Sequence, residues 1–246
     1  MNVKHGSLAA AWRAICCVAL ATVAATAILS PARTAAAAPV SLSSLSNADT
    51  SAGLKKALDQ GINQAVSKLG VTDGFLKNPA VKIPLPPALA KGESVMRMMG
   101  LGAKADELEV AMNRAAEAAV PESKPILKQA LRQMSLADAK QILTGGDDAA
   151  TQYFKKTTYG SLESKFKPII ERATQKVQLA QRYDAVAAKG AEIGLLKPED
   201  ASLQSYVTQK TLDGLFVMMA DEERAIRKDP LGQASSLLKK VFGAIH

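Results

Sequence analysis

From Ser51 onward the apolar residues of this chain recur three and four positions apart, the period of a helix and not of a strand. Leu54, Ala57, Leu58, Ile62, Ala65, Val66 and Leu69 form one stripe opposite a face of Lys and Asp, and Gly70 follows as a stop, so a helix is expected over Ser51 to Leu69. The same pattern predicts helices over Leu89 to Met99, Ala103 to Val120 and Glu122 to Met134. Ser135-Leu136-Ala137-Asp138 is close to a capping box and starts another that reaches Leu143.

One stretch breaks the period. In NPAVKIPLPP, Asn78 to Pro87, the residues Val81, Ile83 and Leu85 alternate with Lys82 and Pro84, and prolines at 79, 84, 86 and 87 forbid a helix. This reads as an extended strap laid across the helices or, functionally, as an edge or lip for a partner peptide. TGGDDAATQYFKKTT, Thr144 to Thr158, reads as a tight corner: Gly145 and Gly146 take positive φ to end one helix, and Asp147 or Asp148 caps the next. Tyr153 and Phe154 then anchor that helix in the core, Gly160 ends it, and Pro168 opens a long helix that runs to Ile193. After a turn at LLKPED, a helix from Ala201 to Lys228 turns Tyr206, Leu212, Leu215, Phe216, Met219 and Ile226 inward and DEER, Asp221 to Arg224, to solvent. LLKKVFGAI supplies a last apolar stripe. The expected fold is all-α, a single-domain bundle of about eight or nine helices with one Pro-rich extended strap.

The start of the chain differs. Lys4 and Arg13 precede an uncharged apolar run from Ala14 to Leu29, and Ala35, Ala36 and Ala37 supply a small-residue cleavage site, the pattern of a secretory signal peptide over 1–37. Residues 38–50 then read as a flexible lead-in and 51–246 as the domain, with no transmembrane anchor in the mature chain. Cleavage removes Cys16, Cys17, Trp12 and His5, which leaves the terminal His246 as the one imidazole and no thiol. Thiolate nucleophiles, disulfides, Cys/His zinc sites and a Ser-His-Asp triad lack their parts. The formal charge falls from +8 to +5 as Lys4, Arg13 and Arg33 leave. The remaining cations are interspersed with acids, which reads as a solvated surface and argues against a nucleic-acid partner. The expected location is the periplasm.

Few constellations offer chemistry. Asp106, Glu109, Asn113 and Glu117 share a helix face, as a solvated face balanced by Arg114 or as oxygens for a hard cation; with no Glu-x-x-His partner, carboxylate-iron chemistry is disfavoured. Glu117, Asp147 and Asp148 are the weak metal candidates, and two carboxylates alone suffice for a hydrolase of the glycosidase kind. Met96, Met98, Met99, Met218 and Met219, with Leu237 and Phe242, fit either plain core or an adaptable groove for a lipid or peptide.

Five runs together carry a resemblance: NPAVKIPLP, ELEVAMNRAAEAAVP, ADAKQILTGGDDAATQYFKKTT, SYVTQKTLDGLFVMMADEE and LLKKVFG. In that order they are similar to the signature runs of the bacterial domain-of-unknown-function family 4197, over about Thr50 to Ile245. The resemblance implies an exported helical protein with no assigned activity and transfers no catalytic residue. It draws attention to Asn113, Arg114, Glu117, Asp147, Asp148, Thr151 and Tyr153 as binding candidates, because they lie in the matching runs. The sequence thus reads as a non-enzymatic binding or interaction module of the cell envelope, without a cofactor, whose partner is an envelope protein, peptide or lipid. The alternative is a carboxylate-based divalent-cation site or hydrolase.

Overall fold

The computed structural model describes residues 47–192 and 202–228, and these are helical, with no strand among them. The expected signal peptide, the LLKPED turn, the LLKKVFGAI helix and His246 lie outside the described residues. α1 spans Asn47–Leu69, α2 Pro87–Met98, α3 Gly102–Ala119, α4 Ser123–Gln133, α5 Leu136–Thr144, α6 Ala149–Thr174, α7 Gln178–Glu192 and α8 Leu203–Lys228, with a single 3-10 turn at Val120–Glu122 joining α3 to α4. α1 begins within the stretch expected to be a flexible lead-in, so that Asn47 to Thr50 are helical and not linker.

α6 packs along α8 and α3, while α1 packs on α8 and α4. Phe154, Leu162, Phe166 and Ile170 put one face of α6 in the core, and the predicted stripe of α1 from Leu54 to Leu69 is buried opposite. Burial of this kind, at about 25 cal/mol per Å² of apolar surface, is the main favourable term in folding.

α6 corrects two expected helix ends, because it runs unbroken through Gly160 and Pro168. Phe154, Thr158, Leu162, Phe166 and Ile170 recur every fourth residue on one buried face, and that continuous contact holds the helix across the proline. Pro168 and Ser164 are exposed, where water can satisfy the Ser164 carbonyl that Pro168 leaves without its N–H. Gly160 is exposed with open space around it, so it neither caps nor crowds anything.

Between α1 and α2 the chain turns at Asp73, whose φ of 69° is left-handed, and then buries Phe75, Val81, Ile83 and Leu85. The proline-rich segment is fixed by side chains, since the Ile83 main chain bonds Asn113 of α3 and the Pro84 carbonyl accepts the Tyr206 hydroxyl of α8 at 3.1 Å. Gly214 of α8 makes this approach possible. A Cβ built there would lie 2.7 Å from the Phe75 ring and 3.2 Å from Val81 Cβ. Gly214→Ala is therefore expected to destabilise the fold by about 1–3 kcal/mol, the usual cost of overpacking, with a lower urea midpoint and an unchanged m-value.

Candidate functional site

Two of the predicted polar clusters turn out to be built into the frame. Asn113 is fully buried on α3, and its carboxamide oxygen accepts the Ile83 N–H at 2.9 Å while its nitrogen donates to the Ile83 carbonyl at 2.9 Å and to the Glu109 carbonyl at 2.8 Å. One turn on, Glu117 is 6% exposed; one oxygen accepts the N–H groups of Phe75 and Leu76 at 3.0 and 3.1 Å, and the other takes Arg114 at 2.7 Å. Arg114 also donates to Asp73 at 2.6 Å, and Lys77 reaches the second oxygen of Asp73 at 2.7 Å. Hydrogen bonds from Lys77 and Arg114 hold the Asp73 carboxyl below its ordinary pKa, which stabilises a residue kept in left-handed backbone. The other members of the predicted ladder point elsewhere: Glu109 pairs with Lys82 and Asp106 with Arg97, at 2.6 and 2.7 Å.

The second cluster sits at the GGDD corner and corrects the sequence reading three times. Neither aspartate caps α6: Asp148 makes no capping bond and accepts instead from Gln152 at 2.9 Å, and Asp147 is exposed. The cap is Glu223 from α8, whose carboxylate accepts the N–H groups of Ala150 and Thr151 at 3.0 and 2.9 Å and the Thr151 hydroxyl at 2.9 Å. Glu222 and Glu223 are 5% and 6% exposed, so half of the DEER run faces inward and not to solvent. Nor does the glycine pair take positive φ, since Gly145 has φ −83°. Gly145 is needed for close approach, because a Cβ there would meet the Ala149 Cβ at 2.7 Å and the Gln141 carbonyl at 2.9 Å, whereas Gly146 has open space around it.

Arg227 completes this corner. It pairs with Glu223 at 2.8 Å and donates to the Ile142 carbonyl in the last turn of α5 at 2.9 Å. A carboxylate thus meets the positive end of α6 and a guanidinium the negative end of α5, both favourable against the helix dipoles. Lys68 of α1 ties in through Glu222 at 2.5 Å.

In front of this corner, between α5 and α6, lies a cleft of about 390 Å³ lined by Asp138, Gln141, Ile142, Gly145, Ala149, Gln152, Tyr153, Lys156 and Thr157. Spaces behind it, beside Glu223, measure about 20 and 10 Å³, room for little more than a single water. Tyr153 is half-buried, its hydroxyl donating to the Ala130 carbonyl at 3.2 Å, while Phe154 beside it enters the core. Burial, aided by the Asp138 charge, pushes the Tyr153 hydroxyl above its ordinary pKa, which keeps it a neutral donor. Asp138 closes the predicted capping box with Ser135, whose hydroxyl and N–H hold its carboxyl below the ordinary range, with Lys156 adding to the effect.

Of the seven candidate residues, Asn113, Arg114 and Glu117 are therefore tied to the α1–α2 connection, and Thr151 is held by Glu223. Tyr153 alone lines the cleft. Among the described residues no group of three His, Cys, Asp or Glu is placed to hold a metal. Of the methionines read as core or groove, Met218 and Met219 are buried as core and Met98 and Met99 are 83% and 70% exposed, while Leu237 and Phe242 lie outside the described residues. Glu223 was missed although the sequence carries a signal: it falls four residues after Met219 and three before Ile226, on the apolar stripe, with Arg227 one turn on.

The model of the family described as protein of unknown function, DUF4197, matches residues 44–243. The chain belongs to the DUF4197 family. No curated protein and no solved structure matches it. The matched region of this DUF4197 protein holds both polar clusters and the cleft, and among its described residues no helix is long and apolar enough to cross a membrane.

Removing the Glu223 carboxylate leaves buried N–H groups and a guanidinium without their partner, so Glu223→Ala is expected to cost about 3 kcal/mol in chemical denaturation. Asp73 gives a pH signature. Its folded pKa lies below the ordinary 3.8, so its contribution is present above that value and is lost as pH falls through the folded pKa. Asp73→Asn, which tolerates the same backbone, should lower stability at neutral pH and flatten the acid limb of a stability–pH curve.

Proposed function

We propose that this chain is an exported, non-enzymatic binding module of the cell envelope, and that its ligand site is the cleft between α5 and α6. The cleft itself carries the reading. At about 390 Å³ it falls within the range of small-molecule sites, and it combines an apolar floor of Ile142, Ala149 and the Tyr153 ring with convergent amide, hydroxyl and charged groups. Its walls are pre-set, since α5 and α6 are joined from behind by Arg227 and Glu223, so little ordering free energy is lost when a ligand enters. The other prominent carboxylates are engaged: Glu117 and Glu223 each accept two main-chain N–H groups and face an arginine, which leaves them poorly suited to proton transfer or to a cation. Export is supported by the Lys4 to Ala37 leader pattern.

Amide NMR of the purified chain with panels of amino acids, peptides, sugars and short-chain lipids checks the cleft. Saturable shifts at Gly145, Gln152 and Thr157 with at least one class, abolished by the cleft-filling variant Gln152→Trp, are expected; no shift there with any class would remove the reading. For export, sequencing of the protein from its native envelope should give an N-terminus near Ala38 in the periplasmic fraction, whereas an intact leader in the cytosol would overturn it.

A further inference from the structure

Opposite charges stand on opposite walls of the cleft: Asp138 in the first turn of α5 and Lys156 two turns into α6. Both residues line the cleft, together with Gly145 and Ala149, which meet closely at the corner joining the two helices. We propose that the cleft seats a small zwitterion of the α-amino-acid type, its ammonium on the Asp138 carboxylate and its carboxylate on the Lys156 ammonium; this rests on the reading of the cleft as a ligand site.

Several observations favour that class. Asp138 spends one oxygen, Oδ2, on both Ser135 bonds, at 2.9 and 2.7 Å, and no hydrogen bond engages Oδ1 among the described residues. Lys156 is exposed and makes no ion pair among the described residues, so its ammonium is available to a carboxylate. One cation and one anion leave the lining with no net charge, which disfavours a simple anion or cation and favours a ligand carrying both signs. A metal would find one carboxylate oxygen where it needs several. A lipid chain would find only Ile142, Ala149 and one aromatic ring. Gln152 donates to Asp148 through Nε2, and its carbonyl oxygen and the Gln141 amide are the uncharged polar groups of the lining that suit a polar, uncharged side chain.

L-glutamine is the matching probe, with N-acetyl-L-glutamine lacking the ammonium and L-glutaminamide lacking the carboxylate. In calorimetric titration of the purified chain, with the cleft amides followed by NMR, glutamine is expected to bind saturably. Each blocked form should bind at least about tenfold more weakly, the order expected for loss of one charge-assisted contact. Lys156→Gln should lose the preference for glutamine over its amide while keeping the preference over the acetyl form, and Asp138→Asn should do the reverse. Because Asp138 also caps α5, Ser135→Ala serves as the folding comparison: it weakens the cap, leaves the carboxylate, and should keep both preferences. Equal binding of glutamine and its blocked forms, or cleft shifts with sugars but not with amino acids, would overturn the zwitterion and leave the cleft as a site. Silence of the cleft towards every probe would overturn both readings.

Discussion

The Glu223–Arg227 pair on α8 is the interaction on which the rest of the arrangement depends. It joins two helix ends of opposite polarity, accepting from the start of α6 and donating to the end of α5, and so replaces a local cap with one supplied from 72 or 73 residues away in sequence. A helix terminus leaves several main-chain groups without partners, and a buried terminus must find them in the tertiary structure. Here the corner can be tight, with Gly145 against Ala149, because neither of its own aspartates has to fold back onto the helix. The same pair links α8 to both helices, through Arg227 to the Ile142 carbonyl of α5 and through Glu223 to the start of α6.

In the second half of α3 the same logic recurs in a different form. Asn113 and Glu117 lie one turn apart and together take three N–H groups from the connection between α1 and α2, those of Phe75, Leu76 and Ile83. Residues that look like a ligand ladder in the sequence are therefore main-chain partners of an irregular segment. Arg114 adds the charge balance, and Asp73 accepts strained backbone in return for a place in that network.

The helical fold was legible from periodicity, and so were the ends of α2 to α5 to within a residue or two, because an amphipathic stripe and its glycine or serine stops are local signals. The capping box at Ser135 and Asp138 was local too, and it is present. What local reading missed was set by distant packing. Pro168 ends a helix in isolation, but the buried stripe from Phe154 to Ile170 carries α6 across it. Asp147 and Asp148 looked like caps because the true cap, Glu223, is remote in sequence, and the cleft lined by Asp138 and Lys156 was missed because nothing in the sequence shows that α5 and α6 leave a space between them.

The pairing of Asn113 with Ile83 has a consequence for solubility. An extended segment ordinarily offers a row of free donors and acceptors on which another chain can grow a strand. Here a side-chain amide occupies both main-chain groups of Ile83, Tyr206 takes the Pro84 carbonyl, and prolines at 79, 84, 86 and 87 lack the N–H a ladder would need. The proline-rich connection thus buries Val81, Ile83 and Leu85 while leaving few main-chain groups free for another chain to pair with.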